Sequence, residues 1–170
     1  MNNKQFRALI RVADAFGDTF GKHPLSCLLL DFDNETIVAA DRAAMAICRR
    51  VRNMNGKGKV LISRDDAMRI CRTIHRATTN VVFEPDNING YSFTPLEGEY
   101  IDWRAALNDQ PQQWDFGKTK CFGLFQSQYM EKYEDIVAAF GTMLVAPWRD
   151  NGDLYAMNGD VVFVAKCLRL

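Results

Sequence analysis

A strand, an acidic turn and a second strand are written into Leu25-Ser26-Cys27-Leu28-Leu29-Leu30-Asp31-Phe32-Asp33-Asn34-Glu35-Thr36-Ile37-Val38-Ala39-Ala40. Two apolar runs flank Asp33-Asn34, the pattern of an antiparallel hairpin. The same punctuation recurs at Asn89-Gly90, Asp150-Asn151-Gly152 and Asn158-Gly159-Asp160. Strands are therefore predicted at Leu25–Phe32, Thr36–Ala40, Lys59–Ser63, Asn80–Phe83, Tyr91–Glu97, Phe122–Phe125, Thr142–Trp148, Leu154–Met157 and Val161–Leu168. Helical periodicity replaces alternation at Lys4–Phe20, Arg64–Ala77 and Ser127–Phe140, with Ser63 and Ser127 as N-caps of the last two.

In order, these elements spell a helix followed by strands three times over. Cuts near residues 57 and 115 divide the chain into three units of about equal size, a repetition of element order rather than of residues. Asn108–Asp115, polar and carrying Pro111, is the most linker-like stretch. The expected organisation is two units (about 1–57 and 58–110) forming a complete domain over 1–110, and a third, half-domain unit over 116–170. The fold class is α+β, with helices on one face and antiparallel sheet on the other.

Composition narrows the function. With 170 residues, 25% charged and 48% hydrophobic, the chain sustains a core of its own and is not a disordered one. No apolar run reaches membrane-spanning length, and the polar start Met1–Gln5 leads into an amphipathic segment rather than a secretory signal. Five cysteines, without a Cys-x-x-Cys pair, read as reduced thiols and a cytoplasmic setting. The formal charge of zero conceals a split: residues 1–80 hold 14 Lys and Arg against 8 Asp and Glu, and residues 81–170 hold 7 against 13.

The positive half is organised. Phe6, Leu9, Ile10, Ala13, Phe16 and Phe20 make the inward stripe of the first helix, beside a row of Lys4, Arg7 and Arg11. In the second helix Met68, Cys71, Ile74 and His75 point inward, beside Arg69, Arg72 and Arg76. Each trio keeps the spacing i, i+3, i+7 and spans a narrow arc, with few acids placed to pair with it. Two such rows suit a phosphate backbone, and solvated faces are the ordinary alternative. The third helix, with Glu131, Glu134 and Asp135 against Lys132, adds little attraction for DNA. Since no base-reading set accompanies the rows, binding would be independent of DNA sequence. Six phosphate contacts would give a slope of log K against log salt of about −5.

Several chemical-looking motifs fall short. Asp31–Glu35 starts like a calcium loop but lacks its glycine and distal glutamate, so an acidic turn is expected. Gly56-Lys57-Gly58-Lys59 lacks phosphate-loop spacing and reads as a connection. His23 and His75 have no nucleophile or acid at catalytic spacing and read as structural. No enzyme, cofactor or metal site is expected.

A resemblance then emerges. Pro24–Phe32 followed by Thr36-Ile37-Val38-Ala39-Ala40-Asp41-Arg42-Ala43-Ala44-Met45-Ala46-Ile47 resembles the bacterial DNA polymerase III beta sliding clamp family, which shows a strand, a turn and Leu-Val-Ala-Thr-Asp-Gly-His-Arg-Leu-Ala. Lys59–Arg64 opening a helix resembles the family's next unit. Leu96-Glu97-Gly98-Glu99-Tyr100-Ile101-Asp102-Trp103-Arg104 is similar to its Glu-Gly-x-Tyr/Phe-Pro-Asp-Tyr-Arg segment, and Phe163–Leu170 to its C-terminal run. Arg42, Ala43 and Ala44 replace the family's Gly, His and Arg, Ile101 replaces its proline, and Lys166 and Cys167 replace an apolar residue and proline of its peptide cleft.

The resemblance implies a ring whose helices line a hole for duplex DNA. The basic rows then face that hole, so Lys4, Arg7, Arg11, Arg69, Arg72 and Arg76 are expected to carry the DNA contacts. The resemblance assigns a cleft for a DNA polymerase or other clamp-binding peptide to Ala40, Asp41, Met45, Ile47, Val164, Lys166, Leu168 and Leu170. Family rings close with twelve units, so three per chain imply a homotetramer, a processivity factor on cytoplasmic, nucleoid DNA. The competing expectation is a clamp-like regulatory module that forms no ring and docks on a replication protein.

Overall fold

The computed structural model describes residues 1–13, 24–107, 125–148 and 153–166. Helix α1 (Asn3–Val12) opens with a reciprocal cap: Asn2 Oδ1 accepts from Gln5 N at 2.8 Å and Gln5 Oε1 from Asn2 N at 2.9 Å. Strands β1 (Cys27–Asp31), β2 (Thr36–Ala40), β3 (Ala44–Cys48) and β4 (Lys59–Ser63) follow, then α2 (Arg64–Thr73). Ser63 caps α2 by accepting from Asp66 N at 3.0 Å, with Asp65 and Asp66 facing the positive end of the helix. Three two-residue strands, β5 (Phe83–Glu84), β6 (Asn87–Ile88) and β7 (Tyr91–Ser92), form a small sheet. A short α3 (Trp103–Leu107) precedes α4 (Ser127–Phe140), β8 (Leu144–Trp148), β9 (Asp153–Asn158) and β10 (Val161–Ala165).

The main sheet runs β4-β1-β2-β3-β10-β9-β8, with every described pairing antiparallel. Its centre is the seam between β3 and β10, where Val161 faces Cys48 and Ala165 faces Ala44. About this seam α1-β1-β2-β3 and α4-β8-β9-β10 are arranged alike, so the last unit continues the sheet of the first.

Alternation explains the layers. Leu28, Leu30, Ile37, Ala39, Ala46, Ile62, Ala156 and Phe163 turn to one face, beneath α1, α2 and α4. Leu29, Val38, Met45, Ile47, Leu61, Tyr155, Val162 and Val164 turn to the other, beneath Leu96, Tyr100, Ile101, Trp103 and Leu107. Strands β1, β2, β3 and β10 are consequently buried at every position. Double coverage is why they read as continuous apolar runs rather than alternating ones. The face opposite the helices is thus not bare sheet; residues 96–107 cover part of it. Helix α1 lies between α2 and α4, and its Phe6 meets Phe83 of the small sheet edge to face at 5.2 Å.

Several expectations shift. Strands β3 and β6 and helix α3 lie where no element was expected, and Asn80–Phe83 and Tyr91–Glu97 contract to strands of two residues. The first helix ends at Val12, with Ala13 extended at ψ 146°; Phe16 and Phe20 lie outside the described residues. The second ends at Thr73 because Ile74 turns extended to stay buried, leaving Arg76 beyond the helix and His75 exposed rather than inward. Gln126, not Ser127, is the N-cap of α4. The turns at 150–152 and the strand residues 122–124 lie outside the described residues. At Asn89-Gly90 both residues take positive φ (56° and 81°), the two-residue turn the sequence asks for.

Candidate nucleic-acid interface and partner cleft

The layer of α2, α1 and α4 carries both basic rows. Around the buried Cys71 thiol, whose pKa burial pushes up, the positive charges of Arg7, Arg11 and Arg72 pull in the opposite direction. The two rows thus lie on neighbouring helices of one layer, α1 packing against both α2 and α4. Their cations are not equivalent. Arg11 grips Asp135 of α4 through both carboxylate oxygens at 2.8 and 2.9 Å. Arg69 holds Asp66 at 2.8 Å and the Ser92 carbonyl at 3.2 Å. Lys4 donates to the Ala138 carbonyl at 2.6 Å. Arg7 is half-buried, and its Nε is enclosed without a hydrogen-bond partner among the described residues. Arg72 and Arg76 are exposed and make no hydrogen bond or ion pair among the described residues.

The sequence expectation of few neighbouring acids holds poorly for Arg11 and Arg69. Asp135 is remote in sequence and reaches Arg11 only because α4 packs along α1. Asp66 lies one turn before Arg69 and doubles as a second partner of Ser63, through its carboxylate. Surface pairs of this kind stabilise by roughly 0–1 kcal/mol, so a polyanion could still exchange them.

On the opposite face a cavity of about 320 Å³ opens where the β2–β3 turn meets the end of β10. Of the residues expected in a cleft, Ala40, Asp41, Met45, Val164 and Lys166 line it, joined by Leu25, Arg42 and Ile101. Ile47 lies fully buried further along β3, on the same face and below the cavity. Leu168 and Leu170 lie outside the described residues.

Backbone bonds fix the rim. Lys166 N donates to the Ala43 carbonyl at 2.7 Å and Asp41 N to the Ala44 carbonyl at 2.8 Å. One carboxylate oxygen of Asp41 accepts from Ala43 N and Ala44 N at 2.8 and 2.6 Å. The other pairs with Lys132 of α4, whose Nζ also donates to the Val12 carbonyl at 2.9 Å. Lys132 is a neighbour of the cleft that the sequence reading missed, since nothing in a helix rich in acids marks one lysine as part-buried. It ties the cleft rim to the last turn of α1, through the thickness of the molecule.

The acidic turn expected at Asp31–Glu35 is a 3-10 turn whose two aspartates are engaged. Asp31 accepts from Asn34 N at 3.2 Å and Asp33 from Gly58 N at 2.8 Å, pinning the glycine-lysine connection. No helix is long and apolar enough to cross a membrane, among the described residues.

Comparison with solved structures places this architecture. The chain aligns over its whole length with 66% of the DNA polymerase III subunit beta from Pseudomonas aeruginosa, at TM-score 0.62 and 15% identity. A griselimycin-bound sliding clamp from the same organism gives 0.65 at 14% identity, over 100% of this chain and 64% of that one. The Helicobacter pylori beta clamp bound to a DNA ligase peptide gives 0.67 at 10% identity, over 99% and 63%. The chain thus spans just under two thirds of each of these relatives and has the DNA-clamp fold. No family model and no curated protein matches the sequence.

Proposed function

We propose that this chain is a clamp-type DNA tether rather than an enzyme. Its helical layer faces duplex DNA, and its opposite cleft receives a peptide of a polymerase or another DNA-working protein. The carrying observation is the division of a clamp fold into two chemically distinct faces: cations carried by the packed helices α1 and α2, and a largely apolar cleft across the sheet from them. Retention would come from enclosure in a homotetrameric ring, with the first and last units of each chain sharing one seven-stranded sheet. Diffuse phosphate contacts would permit sliding on cytoplasmic DNA. With Arg11 and Arg69 already paired, Lys4, Arg7, Arg72 and Arg76 carry most of the attraction. The salt slope per chain then softens from about −5 toward about −3.5.

The test combines mass in solution with retention on circular and linear DNA. A ring stays on circles and leaves linear ends. Arg72→Glu with Arg76→Glu removes retention while the fold persists. Unaltered retention in that double variant refutes the DNA role of this surface. The pairs Arg11–Asp135 and Arg69–Asp66 favour a second reading, in which the helical layer is electrically quieter and the chain is a non-ring regulatory module. A stable monomer that treats circles and linear fragments alike selects it.

A further inference from the structure

The face that carries the cleft has a second cavity, of about 460 Å³, at the far end of β2 and β3. Three arginines surround it: Arg49 and Arg50 from the exit of β3, and Arg104 from α3, with Asn34, Thr36 and Trp103 completing the walls. Successive residues of an extended strand point to opposite faces. Arg49 and Arg50 line one cavity because the chain leaves β3 there and Arg50 turns left-handed, at φ 52°. That conformation is uncommon and mildly unfavourable outside glycine, asparagine and aspartate.

The charges do not balance. Arg104 stacks over Trp103 at 4.2 Å and reaches the fully buried Asp31 carboxylate only at 3.4 Å. Arg50, largely exposed, meets Asp160 at 3.2 Å. Half-buried Arg49 has its backbone N held by the Asp160 carbonyl at 2.7 Å, and its guanidinium, whose charge is felt at the Tyr155 hydroxyl, makes no hydrogen bond or ion pair among the described residues. Glu35 follows Asn34 in the chain but does not line the cavity. A partly desolvated cation without a counter-charge is costly unless an anion completes it, and guanidinium forks match the oxygens of a phosphate.

We infer that Arg49, Arg50 and Arg104 form a binding site for a phosphate group, either free or carried on a small organic ligand. The cavity has the volume of a small-molecule site and is far too narrow for a duplex. The site lies away from both the helical rows and the cleft, so it stands or falls separately from the tethering role.

Calorimetric titration of the whole chain with inorganic phosphate, ribose 5-phosphate and ribose tests it. Saturable binding of the two phosphates, none of ribose, and a loss of about tenfold or more in Arg49→Ala are expected. The double variant Arg72→Glu/Arg76→Glu should bind phosphate like the parent. Tighter binding of ribose 5-phosphate identifies an organic phosphate as the ligand; equal binding identifies the free ion. Because the Arg49 side chain makes no hydrogen bond or ion pair among the described residues, Arg49→Ala keeps the fold, and an unchanged melting temperature checks this. The inference is overturned by absence of saturation up to about 10 mM, or by full binding in Arg49→Ala. It is also overturned by a short single-stranded oligothymidylate that binds far more tightly than either phosphate and depends on Arg49, which would make the cavity a nucleic-acid contact.

Discussion

Replacing Lys132 by methionine keeps the length of the side chain and removes its charge. In the parent, the Lys132 ammonium bridges the Asp41 carboxylate and the Val12 carbonyl, with side-chain exposures of only 17% for the lysine and 8% for the aspartate. Removing one member of a fully buried pair costs about 3–5 kcal/mol, and this pair is part-buried, which puts it at the low end of that range. Asp41 keeps the amides of Ala43 and Ala44, so the lower end, about 3 kcal/mol, is expected. For a domain of this size that corresponds to a fall in melting temperature of roughly 6–12 °C. Urea unfolding should show the loss as a lower midpoint at unchanged slope. Because Asp41 shapes the cleft rim, a peptide bound there should also dissociate faster. In a double-mutant cycle with Asp41→Asn, a coupling above about 1 kcal/mol is expected. A Lys132→Met protein within about 0.5 kcal/mol of the parent, or a cycle with no coupling, would refute the buried strut between helix layer and cleft.

Phe6→Ala should destabilise by about 3–5 kcal/mol, because Phe6 is fully buried and loses its edge-to-face partner Phe83; equilibrium unfolding measures it. Ser63→Ala should cost about 1 kcal/mol by freeing Asp66 N at the start of α2, and Ser63→Asp should recover most of it. Burial pushes the Cys48 thiol up to about 12 from 9.0 and raises those of Cys27 and Cys71 as well. The unfolded chain therefore releases these protons first. The contribution of these thiols to stability should be constant below pH 9 and fall as pH rises from there toward 12, which melting scans over that range would detect. Cys48 should also resist thiol reagents at pH 8 until the protein unfolds.

Much of the fold could be read directly where local and tertiary signals agree. Thr36–Ala40, Lys59–Ser63 and Ser127–Phe140 have the bounds their patterns require, since each run ends at a turn residue or a cap that the packing also uses. Strand β3 escaped notice because Ala44-Met45-Ala46-Ile47-Cys48 is short, alanine-rich and poor in β-branched residues. Its place is set by pairing with β2 and β10 rather than by its own propensity. The end of α2 could not be foreseen either: Arg76 continues the helical spacing, yet burying Ile74 requires an extended backbone. Of the cleft, Ala40, Asp41, Met45, Val164 and Lys166 came from motif matches, while Leu25 and Ile101 joined through the fold. The contacts of Arg11 and Lys132 with distant partners depend on how α1 and α4 cross, which no single segment encodes.

The seam between β3 and β10 has a consequence on the ribosome. Its two strands are separated by more than a hundred residues, so β3 emerges with one edge unpaired and waits for β10 to be translated. At cellular elongation rates of about 5–20 residues per second, the delay runs from several seconds to some twenty. For that interval the growing polypeptide offers a hydrophobic, hydrogen-bonding border to any other extended segment nearby. Productive expression of this chain would therefore be governed by what shields that border during synthesis, and slowing translation past β3 should increase the insoluble fraction.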